Sequence, residues 1–176
     1  MTYAKREDIV DAIAGSFAPL TILDIGCGAC GVADIFKSHG HDVYVTDITA
    51  ERVPKEWMPR FTKNSATEIE LMGYDAVIMA GLLYHLSTES QAAVCKRMTG
   101  RLVFLDTHYV RTPGPGEPRK QTASSEPHPV IPSIEFIRGE LFPNHFLIQT
   151  AEHVDGRSWF VCIPKTVTTR RMRWGH

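Results

Sequence analysis

The 176-residue chain has no apolar run approaching the roughly 18 residues that a membrane span requires. Its first residues, MTYAKREDIVDAIA, lack the apolar core of a secretion signal, so a cytoplasmic location is the default expectation. Neither sign of charge is in excess. Nineteen Lys and Arg stand against 20 Asp and Glu, a net charge of −1, so the whole molecule is not an electrostatic glove for nucleic acid. Cysteine is scarce: there are four, Cys27, Cys30, Cys95 and Cys162, at irregular spacing. Cys27 and Cys30 form a C-x-x-C, but no second pair exists to complete a zinc site, so no metal is expected and reduced thiols are the simpler reading. At 43% hydrophobic residues this length suits one soluble domain with a single core.

What is present is concentrated in residues 21–47, TILDIGCGACGVADIFKSHGHDVYVTD. Thr21, Ile22, Leu23 and Ile25 make a short apolar run suited to a buried parallel strand, with Asp24 as its one charge. Gly26 and Gly28 follow, then Gly31, then a helical stretch over 32–39 that Gly40 stops. Residues 41–47 alternate toward a second strand, VYV, closed by Asp47. Strand, glycine-rich turn, helix, strand and acid form the first βαβ unit of a nucleotide-binding α/β fold. The two leading glycines permit a tight turn and a close approach of backbone to ligand. The following helix offers unpaired N–H groups at its start. Asp47, at a strand's carboxyl end, can accept two hydrogen bonds from a ribose diol. Gly26, Gly28 and Gly31 also fit the dinucleotide pattern G-x-G-x-x-G, but Asp24 would repel a pyrophosphate. An acid there suits a ligand with an ammonium group and a sulfonium.

The stretch LDIGCG, with Asp47 downstream, resembles the first motif of the class I S-adenosylmethionine-dependent methyltransferases. The resemblance implies that Gly26, Cys27 and Gly28 wrap the cofactor's methionine part, next to Asp24. It implies that Asp47, with Ile48 beside it, holds the ribose end. The family usually carries a third glycine where Cys30 stands; here it comes one later, at Gly31. Asn64-Ser65-Ala66 stands where the family often has Gly-Asp-Ala, so Ser65 and Ala66 are cofactor candidates with a hydroxyl in place of the acid. DAVIMAGLLYHL resembles the segment that follows the family's fourth strand, which places Ala80, Gly81 and Leu82 at the cofactor. That segment is not Asp/Asn-Pro-Pro-Tyr/Phe, which argues against exocyclic base amines and glutamine amides as acceptors. His85 follows the fourth strand and His108 the fifth. Both are candidates for a general base, with an ordinary pKa near 6.5.

The remaining chain reads coarsely. Residues 4–15 form a short amphipathic helix. Residues 49–58 begin a helix capped by Thr49 and shortened by Pro54 and Pro59, and 60–64 form a short third strand. Residues 74–79 and 101–106 are buried strands. Ser87 caps a helix ended by Gly100. Residues 111–132, rich in Pro and Gly, read as one long loop, either a substrate lid or disordered. Ser133 begins another helix, and two strands flank Asp155-Gly156, a strong hairpin signal. A basic tail occupies 165–176.

The expected fold is α/β: a doubly wound, mostly parallel seven-stranded sheet with a C-terminal antiparallel hairpin, in one domain over 1–176. The resemblance implies methyl transfer from S-adenosyl-L-methionine, with S-adenosyl-L-homocysteine as product, to an oxygen or nitrogen of a small molecule. RNA, in particular tRNA, is the alternative acceptor. A partner-dependent or catalytically degenerate cofactor-binding subunit is the reading from another class, motivated by the shifted glycine and Ser65. No oligomeric state is specified.

Overall fold

The computed structural model describes residues 5–122, 125–152 and 156–166. Among these residues, nine strands form two sheets. The large one has the order β3-β2-β1-β4-β5-β9-β8. Its members are β1 (Thr21–Ile25), β2 (Asp42–Asp47), β3 (Phe61–Lys63), β4 (Ala76–Ala80), β5 (Leu102–His108), β8 (His145–Glu152) and β9 (Arg157–Pro164). The first five run parallel, while β9 is antiparallel to both β5 and β8. This is the seven-stranded α/β sheet with a C-terminal antiparallel hairpin that the sequence predicts. The hairpin's turn includes Asp155, outside the described residues, as is most of the basic tail.

The apolar runs predict the inner strands because an inner parallel strand is covered on both faces. Ile22, Val43, Val45, Ala76, Ile78 and Phe104 point to one face, which α1 (Arg6–Gly15) and α2 (Gly31–Ser38) cover with Ile9, Val10, Ile13 and Phe36. Leu23, Val77, Met79, Val103 and Leu105 point to the other. There they meet Val94 and Cys95 of α3 (Thr88–Arg97), together with Ile137 and Leu141. Those last two belong to a wide helical turn that continues α4 (Ile134–Phe136). Ser87 and Ser133 cap their helices as expected, accepting from the N–H groups of Ser90 and Phe136.

Two local expectations need correction. The region 49–58 holds no α-helix from Thr49. The chain turns there and forms a 3₁₀ segment, Lys55–Arg60, that starts after an extended Pro54. Pro54 and Pro59 lack the N–H groups that an α-helix would use. Trp57 is buried by this segment and its indole donates to Asp34 Oδ1 at 2.8 Å. Cys30 itself takes the left-handed conformation, φ +60°, ahead of α2, and Gly31 opens the helix. The second correction concerns 111–132. Its described part contains a second, two-stranded antiparallel sheet, β6 (Gly116–Pro118) with β7 (Val130–Pro132).

That small hairpin depends on Gly116. Its φ is +140°, and a Cβ there would lie 2.1 Å from the carbonyl oxygen of Ile131. We expect Gly116→Ala to open the hairpin, with little change in the melting temperature of the main sheet. Limited proteolysis within 111–132 should then run at least roughly tenfold faster. Cleavage at the wild-type rate would show that the hairpin does not depend on this contact.

Candidate functional site

The parallel strands end on one side of the sheet, and a cleft of about 700 Å³ opens beyond their carboxyl ends between β1 and β4. Asp24, Gly26, Cys27 and Gly28 line it from β1 and the turn that follows. Asp47 and Ile48 line it from the end of β2, and Ser65 and Ala66 from the loop after β3. Ala80, Gly81, Leu82 and His85 line it from the end of β4. The eleven cofactor candidates and one of the two histidines therefore share a single cleft. His108 does not line it; its ring packs edge-on against Tyr84, centroids 4.8 Å apart.

The turn is built around positive φ values. Gly26 and Gly28 sit at +70° and +53°, and a Cβ on Gly26 would press on Leu82 at 3.1 Å. Asp47 holds the turn closed. Its Oδ2 accepts from the Gly28 N–H at 3.0 Å, and its Oδ1 from the Thr49 N–H at 3.3 Å.

Asp24 is the most unusual group in the cleft. It is 1% exposed, and its Oδ1 is buried with no hydrogen-bond partner. Burial pushes its pKa up to about 7, against the pull of the Arg6 guanidinium and with a small push from Asp47. A buried carboxylate oxygen without a partner, on a residue that lines the cleft, is a feature an ammonium group would satisfy. Burial also pushes the neighbouring thiols up, Cys30 to about 11, so neither Cys27 nor Cys30 is a thiolate at neutral pH. All four cysteines are free thiols. Among the described residues, no group of three His, Cys, Asp or Glu side chains is placed to hold a metal ion.

The fold also brings in residues that local patterns did not single out for the cleft. Arg6 reaches it from α1 and Arg157 from the start of β9. Both pair with Oδ2 of the fully buried Asp106, at 3.1 and 3.3 Å. Arg52 lies over Gly28, its guanidinium carbon 3.6 Å from where a Cβ would stand. Ser125 and Glu126 line the cleft from the 111–132 segment. Only the Pro- and Gly-rich composition of that segment hinted at such a role.

His85 ends a 3₁₀ turn, Leu83–His85. Its Nδ1 lies 3.0 Å from Ser125 Oγ and 3.3 Å from Arg119 Nη1. Burial lowers its pKa to about 4, aided by the charges of Arg119 and His108. The expectation of a titration near 6.5 is therefore corrected: His85 is neutral throughout the physiological range.

No family model matches the chain, and no curated protein matches it. Solved structures do. The 1,6-didemethyltoxoflavin-N1-methyltransferase of Burkholderia thailandensis, with 1,6-didemethyltoxoflavin and S-adenosylhomocysteine bound, superposes with a TM-score of 0.65 at 19% identity. The match covers 89% of this chain and 74% of that one. The magnesium protoporphyrin IX methyltransferase of Synechocystis PCC 6803, with S-adenosylhomocysteine bound, gives 0.66 at 16% identity over 90% and 82% of the two chains. A SAM-dependent methyltransferase of Bacteroides fragilis, in complex with S-adenosylhomocysteine, gives 0.60 at 13% over 88% and 76%. The chain has the fold of the class I S-adenosylmethionine-dependent methyltransferases.

Proposed function

We propose that the protein is an enzyme that transfers the methyl group of S-adenosyl-L-methionine to an oxygen or nitrogen of a small molecule, releasing S-adenosyl-L-homocysteine. The observation that carries this reading is the buried, unpartnered Oδ1 of Asp24 beside a left-handed glycine turn. It is a ready partner for an ammonium group and a poor one for a pyrophosphate. In this reading Gly26, Cys27 and Gly28 give the backbone cradle for the methionine part, and Arg6 faces its carboxylate. Asp47 accepts from the ribose hydroxyls. Ile48 and Ala66 supply apolar walls for the base, and the Ser65 hydroxyl supplies a polar contact. Ala80, Gly81 and Leu82 border the reacting end.

When bound, the cofactor supplies a methyl group already activated on a sulfonium. What remains for the chain is to exclude water and hold the nucleophile in line, about 3 Å from the methyl carbon. Tyr84, His85, Ser125 and Glu126 border the cleft beyond Gly81 and are the residues we assign to the acceptor. We read 111–132 as a substrate lid, because Ser125 and Glu126 border the cleft. We read the chain as one functional unit working in the cytosol, where its four thiols stay reduced. No helix of the described residues is long and apolar enough to cross a membrane. Several similar structures are named for small-molecule methylation, which supports a small acceptor over RNA.

Calorimetry tests the cofactor assignment. S-adenosylhomocysteine should bind saturably and NADH should not; tight NADH binding without S-adenosylhomocysteine binding would overturn it. A salt-titrated RNA-binding assay separates the two acceptor classes, because phosphate contacts give a steep negative slope of affinity with salt.

A further inference from the structure

Arg119 sits in the segment that the sequence reads as a featureless loop. The structure ties it down at several points. Its backbone N–H donates to the Pro129 carbonyl at 2.8 Å across the small hairpin. Its guanidinium stacks over the Tyr84 ring at 4.4 Å, and Nη1 donates to the Tyr84 carbonyl at 3.2 Å. The same Nη1 lies 3.3 Å from His85 Nδ1. A guanidinium has five donors and no acceptor, and the Ser125 hydroxyl 3.0 Å from the same nitrogen can donate as well as accept, so both contacts are met with His85 Nδ1 as the acceptor. The ring proton of neutral His85 is therefore on Nε2. Nε2 has no partner among the described residues, and His85 lines the cleft.

The rest of the segment holds this arrangement. The Glu126 N–H donates to the His85 carbonyl at 2.9 Å, and Glu126 Oε2 accepts from the Ser87 N–H at 3.0 Å. The Val130 N–H donates to the Leu86 carbonyl at 3.1 Å. The chain leaving His85 is thus clamped by the segment, and Arg119 holds the Tyr84 carbonyl on its other side. The charged and titratable groups around the ring are Arg119 and Glu126 of the segment, His108 of β5 and Tyr84 of its own turn. Arg119 and His108 oppose a second proton on His85, and the Glu126 carboxylate is engaged by a backbone N–H.

We propose that Arg119 is a positioning residue that fixes His85 as a neutral Nε2–H donor facing the methyl acceptor. The acceptor then presents an oxygen lone pair at this point, as a carbonyl or an ionised hydroxyl. The donor role rests on the methyl-transfer reading; the tautomer lock does not. In the transfer, the nucleophile's lone pair forms the bond to the methyl carbon as the carbon–sulfur bond breaks and its electron pair returns to sulfur. An ionised oxygen has no proton to shed, and a nitrogen releases its proton to water. His85 takes none, because its one lone pair already faces a cation.

Nitrogen-15 NMR of histidine-labelled, ligand-free protein tests the lock, with His85 assigned by the signal lost in His85→Gln. Wild-type His85 should show the Nε2–H tautomer and stay neutral well below the ordinary midpoint of about 6.5. Arg119→Gln should raise its midpoint by up to about one pH unit, a gain in proton affinity of up to roughly tenfold, with burial holding the rest of the shift. An Nδ1–H tautomer, a wild-type midpoint near 6.5, or no change in Arg119→Gln would overturn the proposal. The donor role is read with 4-nitrophenol on protein saturated with S-adenosylhomocysteine. Wild type should favour the bound phenolate by about tenfold over His85→Ala, and His85→Gln, whose amide N–H can replace the donor, should recover most of this. Equal ionisation in wild type and His85→Ala, or no binding at millimolar 4-nitrophenol, would overturn the donor role. Failure of S-adenosylhomocysteine itself to bind would remove the methyl-transfer reading and leave the lock standing.

Discussion

Asp24→Asn should lower affinity for S-adenosylhomocysteine by about 10- to 100-fold at pH 8 while making the ligand-free protein more stable there. The two effects have one cause. A charged carboxylate that meets an ammonium through a charge-assisted hydrogen bond is worth about 1.5–3 kcal/mol, and asparagine cannot supply the charge. Without ligand the same group is a liability. Folded Asp24 keeps its proton up to about pH 7, whereas in the unfolded chain it ionises above its ordinary 3.8. Between those values the native state binds more protons than the unfolded one, so stability falls as pH rises through that window. The window spans roughly three pH units, which sets a ceiling of about 4 kcal/mol on the cost at neutral pH. Asparagine is neutral in both states and escapes it.

Wild-type affinity for S-adenosylhomocysteine should correspondingly rise from pH 5 to pH 8, with a proton released on binding near pH 6. Calorimetry in two buffers of different ionisation enthalpy measures that proton directly. A pH-independent affinity, or an Asp24→Asn variant that binds like wild type, would remove Asp24 from the cofactor site.

Asp47→Ala should lose cofactor affinity by roughly 1.5–3 kcal/mol and stability by about 1–2 kcal/mol. The fold is expected to survive the change, since Asp47 ends a strand instead of filling the core. The structure adds the stability cost: both its oxygens accept from backbone N–H groups, Gly28 at 3.0 Å and Thr49 at 3.3 Å. Removing the carboxylate leaves two donors without their partner at the turn the cofactor must enter. Asp47→Asn separates the roles. Its amide oxygen can still accept from Gly28, so the melting temperature should largely recover while affinity for S-adenosylhomocysteine stays low. An Asp47→Asn variant with full affinity would assign Asp47 to the turn alone.

The stretch around the glycine turn was legible because its signals are local. Ile22, Leu23 and Ile25 are buried on both faces of the sheet, so the strand reads as an apolar run without any knowledge of its neighbours. Gly26 and Gly28 mark backbone that side chains resist, and Asp47 marks a strand end. The same holds for the strands at 76–80 and 102–108, and for the serines that cap the later helices. Cys30 shows where this logic stops. The turn needs a left-handed residue at that position whether or not a glycine is there, and the packed surroundings impose it on a cysteine.

The amino-acid sequence by itself determined the fold class, the strands of the large sheet and the cofactor candidates on β1, β2 and β4, because each depends on residues within a few positions of one another. The tertiary structure alone decided which side chains from distant segments enter the cleft. Pairing β9 against β5 sets Arg157 opposite His108 and lets it share Asp106 with Arg6, a residue some 150 positions away. Closing β6 on β7 carries Arg119 onto Tyr84 and His85. Sequence spacing shows neither contact. The state of His85 followed from the second of them. A histidine's ordinary pKa belongs to the residue, but which nitrogen carries the proton is set by the partner that the fold brings to the other one.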